Sequence, residues 1–254
     1  MPRTNKRYGW VPDLPDQRDQ LYSAPVATLQ TLPPQMDLQP QCPPVYDQGQ
    51  LGSCTANAIG AAVQFDEMKQ QLPRVYVPSR LFIYYNERVI EGTVNSDSGA
   101  MIRDGIKSVG TQGTCRETQW PYTIAKFRNK PPAKCYTTAL KHKAILYQRL
   151  LHNLNQLKGC LASGYPFVFG FTVYESFESQ QVAKTGQVPM PTPGEQVLGG
   201  HAVLAVGYND DQQRFIVRNS WGASWGLKGY FTMPYSYLLN SHLANDFWTI
   251  RVVQ

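Results

Sequence analysis

"DQGQLGSCTANAIGAA", Asp47 to Ala62, sets a glycine-punctuated turn directly before a cysteine that opens an apolar helical pattern. After Cys54, the residues Ala58, Ala61, Phe65, Met68 and Leu72 follow at steps of four and three, one face of a 3.6-residue period. Gln64, Glu67 and Gln71 fall off that stripe. The spacing predicts a helix that starts at Cys54, takes Ser53 as its N-cap and ends at Pro73. A thiol at such a terminus faces unpaired backbone N–H groups and the positive end of the helix dipole, and both favour thiolate. Gly49 and Gly52 let another chain come close to the sulfur. The Cys54 N–H and the Gln48 side-chain amide, six residues earlier, are then placed to receive an oxyanion. Taken alone, a cysteine on an alanine-rich helix face is more often packed core than nucleophile.

The second half of the chain tips that balance. "GGHAVLAVGY" sets His201 after two glycines and at the start of an apolar strand, whereas His142, His152 and His242 lie in polar helical or loop text. Asn219 follows, at the end of the strand "RFIVRN", opening "NSWGASWGLKGY". An amide oxygen there can accept a hydrogen bond from one imidazole nitrogen and turn the other toward Cys54. Trp221 is placed to cover that bond and keep water from it.

The pattern changes along the chain. Helices are expected over "RLFIYYNERVIEG", entered at Pro78-Ser79, and over "GAMIRDGIKSVG". "YTIAKFRNKPPAKC" reads as loop, and "KAILYQRLLHNLNQLKGCLASG" as a strand followed by a helix. Past Gly164 come short β-rich runs separated by turns: "PFVFGFTVYESF", "GHAVLAVGYND", "QRFIVRNSWG", "KGYFTMPY" and "DFWTIRVV". This is an α+β chain with a helical lobe over 36–147 and a mostly antiparallel β lobe over 148–254. Residues 1–35, rich in Pro, Gln, Asp and Arg, read either as a flexible tail or as an arm held by aromatics, and Tyr8, Trp10 and Val11 favour the arm.

Four segments together, "QGQLGSC", "DSGAMIRDGIKSVGTQGTCRETQWPY", "GGHAVLAVGY" and "NSWGASWGLKGY", resemble the papain-like cysteine peptidases over about residues 40–254. That family's signature is C-G-[SA]-C-[WY], with His and Asn about 130–150 residues further on. Here His201 lies 147 residues after Cys54 and Asn219 lies 165 after it, which points to insertions in the β lobe. The resemblance implies the two-lobe papain fold, with a β-barrel-like C-terminal lobe and a cleft between the lobes. It implies Cys54 as nucleophile, His201 as acid–base partner, Asn219 as its orienter and Gln48 as oxyanion donor. Gly99 and Ala100 match the residues that pair with a substrate backbone in antiparallel fashion. Met101, Ile102, Gly170 and Ala202, beside Gly200, are expected to form an apolar pocket for the residue two before the cut. Trp225 is expected to line the leaving-group side or to pack beneath it. No cofactor and no metal is implied.

The departures are as specific as the matches. Leu51 stands where the family has a disulfide cysteine and Asp97 near its usual partner, so both ends of that bridge are missing together. Thr55 replaces the aromatic after the nucleophile. The long helical propeptide of plant and lysosomal members has no counterpart, and the chain resembles the bacterial branch with a short N-terminal extension. Residues 1–35 are expected to be a structural brace or a short autoinhibitory propeptide, as in a zymogen.

Composition bounds the rest. The 254 residues suit one large domain or two halves around a cleft. The net charge of +6 comes from scattered lysines and arginines without a basic helix or finger spacing, so a solvated basic surface is expected and not a nucleic-acid partner. No run reaches the length of a membrane span and no secretory leader is visible, which makes a cytoplasmic location the default. The five cysteines form no C-x-x-C pair, which leaves two readings open: a nucleophile with two disulfides, or a nucleophile with four buried thiols. The expected partners are protein or peptide substrates, and the expected state is a monomer. Rival readings are acyl transfer to amines by the same triad, a disabled binding protein, and a Cys54–His201 metal site, which lacks a third ligand.

Overall fold

The computed structural model describes residues 8–254. The expected arm therefore begins at Tyr8, and residues 1–7 lie outside the described residues. Ten strands form: β1 (Trp10–Val11), β2 (Leu21–Tyr22), β3 (Gln35–Asp37), β4 (Ala100–Met101), β5 (Ala144–Leu150), β6 (Phe167–Tyr174), β7 (Val197–Asn209), β8 (Arg214–Arg218), β9 (Tyr230–Pro234) and β10 (Ala244–Val253). The central helix runs Cys54–Lys69 and is followed by helices Arg80–Ile90 and Ile102–Thr111.

The Cys54–Lys69 helix is buried on every side from Cys54 to Glu67. It packs against β7 and β10 on one side and the two following helices on the other. The amphipathic reading of this segment is thereby corrected: Gln64 and Glu67 are inside. Gln64 accepts from the Tyr46 hydroxyl, and Glu67 accepts from the Tyr76 N–H at 3.2 Å. The chain leaves the helix at Gln70 and passes through a left-handed Gln71 (φ 53°), ahead of Pro73. Ser53 stands at the N-cap position as expected, but its side chain does not cap the helix. Its hydroxyl lies 2.5 Å from the Tyr122 hydroxyl and 3.1 Å from Asn57 Nδ2. The next helix starts where expected, at Arg80, and is capped by Ser79, whose Oγ accepts from Phe82 N–H at 3.2 Å.

The second half builds an eight-stranded sheet in the order β2-β5-β10-β6-β7-β8-β9, with β3 added on β7. It is open, so "barrel-like" describes it only loosely: among the described residues no strand closes the two ends of the path. The longest pairing, β6 with β7, sets Gly170 opposite Ala202 and Phe171 opposite His201. Alternate side chains of these strands build the core from Phe167, Phe169, Phe171, Phe215 and Phe247, packed edge to face and offset. The segment read as loop from Tyr122 to Cys135 carries a 3-10 turn, Ile124–Lys126, and the start of a helix, Ala133–Ala139. All five cysteines are free thiols.

The described part of the arm is tied to the body by three strand pairings, with Trp10, Tyr22 and Ala24 buried. β1 pairs in parallel with β4, β2 pairs in parallel with β5, and β3 pairs with β7. Between these strands Arg103, on the third helix, binds Asp19 in a buried ion pair at 2.5 Å. Asp13 accepts from the Arg103 N–H at 3.0 Å and the Trp248 indole at 2.9 Å.

Candidate active site

The turn 47–53 holds Cys54 at the head of the central helix, and β7 brings His201 in from the other half. The two meet in the interior: the N–H of Ala202, next to His201, donates to the Cys54 sulfur at 3.4 Å. His201 Nε2 is 2.8 Å from Asn219 Oδ1, and that same oxygen accepts from the Ser220 N–H at 2.8 Å. The amide is thus fixed with its oxygen toward the ring. Trp221 stacks on His201, centroids 4.9 Å apart at 30°. Trp225 packs edge-on against Trp221 at 5.1 Å, beneath it.

Gln48 is buried in the preceding turn. Its Nε2 donates to the Leu51 carbonyl at 2.9 Å, and its Oε1 accepts from the Ser220 hydroxyl at 2.7 Å. These two bonds set the amide plane and tie the turn to the strand end that carries Asn219. Tyr122 supports the same turn from outside, donating to the Gln48 carbonyl at 2.9 Å. Where the family's disulfide is missing, the Asp97 carboxylate accepts from Gly52 N–H at 3.0 Å and from the Tyr84 hydroxyl at 2.5 Å. A polar tie joins the two segments that the bridge would have joined.

The groove is full. Tyr8 lies edge-on to His201, centroids 5.9 Å apart, with its hydroxyl donating to Glu178. Gly9 passes so close to the turn that an added Cβ would stand 1.8 Å from the Gly52 carbonyl oxygen. Its own carbonyl accepts from Ala100 N–H at 2.8 Å. The Trp10 indole lies against Gly170, where a Cβ would meet it at 2.0 Å, and its backbone crosses Gly200. Of the expected substrate-binding residues, Gly99, Ala100, Met101, Gly170 and Gly200 therefore all border the arm. Ala202 is buried at the sulfur, and Ile102 is wholly within the core.

Cys54 and His201 are both fully buried. This burial works against the thiolate that the helix terminus favours. Burial pushes the Cys54 thiol up to about 12, against the N–H groups of Ala202, Gly9 and Thr55, which favour the anion, and with a smaller upward push from Glu87. The N–H groups at the helix terminus act as expected, but burial of the sulfur outweighs them. The residues missed in the sequence are Glu178 and Asp246, which accept from Tyr8 and Trp10 of the arm, and Tyr122 and Ser220, which hold Gln48. None carries a local signal, because each is brought in by a separate element.

A cysteine at a helix terminus against a histidine from an open antiparallel sheet, in an α+β chain of two halves, is the architecture of a papain-like cysteine peptidase. The chain belongs to the papain family of cysteine proteases, whose model matches residues 32–247, and it is a cysteine-type peptidase. It is similar over its whole length to the solved structure of xylellain, a cysteine protease from Xylella fastidiosa, at 46% identity and a TM-score of 0.93, with all of both chains covered. It is 45% identical to an uncharacterized peptidase C1-like protein of Acanthamoeba polyphaga mimivirus, over 98% of this chain and 88% of that one. Cathepsin B-like CP3 of Giardia intestinalis is 32% identical over 76% of this chain, which spans 64% of its length.

Proposed function

We propose that the chain hydrolyses internal peptide bonds through Cys54, His201 and Asn219, and that residues 8–22 hold this machinery closed. The observation that carries the first part is the contact joining the halves, Ala202 N–H to the sulfur at 3.4 Å, beside a His201 whose Nε2 is held 2.8 Å from Asn219 Oδ1 within the β half. With the arm lifted, water reaches the sulfur, the desolvation penalty falls, and the helix-end N–H groups favour thiolate beside a protonated His201. The thiolate attacks the peptide carbonyl. The oxyanion forms against the Cys54 N–H and the Gln48 amide, and His201 passes its proton to the leaving amine. The imidazole then takes a proton from water, which attacks the thioester and frees the thiol. Asn219 keeps the ring in the tautomer this cycle needs.

The parallel pairing of β1 with β4 supports the second part. A substrate running antiparallel along Gly99 and Ala100 has the opposite direction. In the closed state the Gly9 N–H is at the sulfur. The arm thus occupies the groove in the direction opposite to such a substrate.

The test uses the full chain with its arm unseated by Gly9→Ala. In that protein Cys54→Ala abolishes hydrolysis of a generic peptide library, and Gln48→Ala lowers turnover by ~10²–10³. Cleavage by the Cys54→Ala protein at an undiminished rate rules the assignment out.

A further inference from the structure

The first turn of the central helix is anchored from a second helix. Ser53 leaves it without a side-chain cap, so its leading N–H groups depend on other restraints. Thr55 stands directly after Cys54, where the family signature has an aromatic. Its Oγ1 donates to Glu87 Oε1 at 2.6 Å, and its N–H hydrogen-bonds to the Cys54 sulfur. Glu87 lies on the helix Arg80–Ile90. Both side chains are fully buried. Glu87 Oε2 has no hydrogen-bond partner. It lies against Gly105 of the third helix, where a Cβ would stand 2.6 Å from it, so the glycine makes room for the carboxyl group.

Burying a carboxyl group with one partner is costly. The titratable and charged groups around it are Tyr84, Arg88 and Glu91 on its own helix, Asp104 on the third helix and Cys54 on the central helix. Arg88 gives its N–H groups to the carbonyls of Tyr84, Val94 and Ser96, and not to Glu87. Burial therefore raises the Glu87 carboxyl well above its ordinary value, with Glu91 and Asp104 adding to the rise, against the Thr55 hydroxyl and the Arg88 charge. A carboxylate here would push the Cys54 thiol up and oppose the thiolate, whereas a neutral acid does not. Two apolar side chains of the same shape would serve the fold as well or better, so the fold alone does not account for the pair. We propose that Thr55 and Glu87 are a positioning pair for Cys54: the neutral acid anchors the first helical turn through the Thr55 hydroxyl, and so keeps the Thr55 N–H aimed at the sulfur and the Cys54 N–H at the oxyanion. The proposal deepens the reading as a peptidase and rests on it.

The experiment uses full-length protein carrying Gly9→Ala, in which the arm is unseated, as the parent. Thr55→Val with Glu87→Leu removes the pair and keeps its volume. Glu87→Gln keeps the acceptor and cannot ionise. Three quantities are measured: melting temperature, kcat and KM for a fluorogenic peptide, and the rate at which iodoacetamide alkylates Cys54 at pH 7. The apolar double variant is expected to melt at the parent's temperature or above it, with KM unchanged, kcat about 10- to 100-fold lower and alkylation about 10-fold slower, the scale of one or two misaimed donors. Glu87→Gln restores most of both rates. If the double variant does not fold, Thr55→Val takes its place, with Thr55→Ser as the conservative rescue. Full kcat and full alkylation without the pair overturn the proposal. So does a loss of kcat matched by a fall in melting temperature, which marks a merely structural pair. Alkylation made several-fold faster by Glu87→Gln also overturns it, because it reveals a charge in the parent. If the parent cuts no peptide although iodoacetamide labels Cys54, the peptidase reading fails, and the alkylation rates still judge the pair.

Discussion

Replacing Gly9 by alanine tests the closed state with one methyl group. The added carbon would stand 1.8 Å from the Gly52 carbonyl oxygen, with the Gly52 carbonyl carbon at 2.5 Å. These are backbone atoms, and the Gly52 N–H is tied to Asp97 at 3.0 Å, so the arm must yield. Backing off by more than an ångström breaks the Gly9 carbonyl bond to Ala100 N–H, 2.8 Å in the closed state, and pulls the Trp10 indole from Asp246, 3.0 Å away. At about 1 kcal/mol net for each bond, with part of a burial term added, the closed state loses about 2–3 kcal/mol. The open fraction then rises about 30- to 150-fold, since about 1.4 kcal/mol is a factor of ten. The assay is the rate at which iodoacetamide alkylates Cys54 at neutral pH, read by peptide mass spectrometry, with the other four thiols as internal controls. The rate should rise by that factor while the melting temperature of the body of the protein changes little. Equal alkylation rates in the two proteins would show that the arm does not govern access to the sulfur.

Asp97→Ala removes the acceptor shared by Gly52 N–H and the Tyr84 hydroxyl. The expected cost is about 2–3 kcal/mol, a melting temperature about 5–10 °C lower by calorimetry. Closure should also depend on pH through Asp13. Burial, then the neighbouring Asp246, raises its carboxyl to about 7, against the Arg103 N–H, the Trp248 indole and the Arg103 charge, which lower it. The docked arm therefore holds a proton that a freed, solvated Asp13 releases at the ordinary carboxylate value. Its contribution to closure is complete below about 4 and is lost as pH rises toward about 7. Cys54 alkylation in the wild type, divided by that in Asp13→Asn to cancel the thiol's own titration, should climb across this window; a flat ratio would refute the linkage.

How much was legible follows from how far each signal had to reach. Cys54, His201 and Asn219 stand out because a cysteine opening a helix, a histidine opening a strand and an asparagine closing one are local patterns in chain order. The α+β division was equally readable from a change of period near the middle of the chain. Three readings run into tertiary effects. Gln64 and Glu67 look like a solvent face, but the central helix is enclosed by sheet and helices, and Tyr46 and Tyr76 supply partners from afar. Ser53 has the chemistry of a cap, but the Tyr122 hydroxyl competes for it from 69 residues away. The thiolate follows from the helix terminus alone, and burial of the sulfur between elements distant in sequence works against it. Asp246 could not be found at all, since its role comes from a slip in strand pairing that no periodicity announces.

The tie between Asp97 and Gly52 separates two demands that a thiol enzyme usually has to reconcile. Its working sulfur must stay reduced, and reagents that keep it so also attack disulfides that brace neighbouring loops. Here the loop before Cys54 is held by a carboxylate on a backbone amide, which no electron donor can cut. The protein can sit in strongly reducing surroundings with its proposed nucleophile protected and this tie intact.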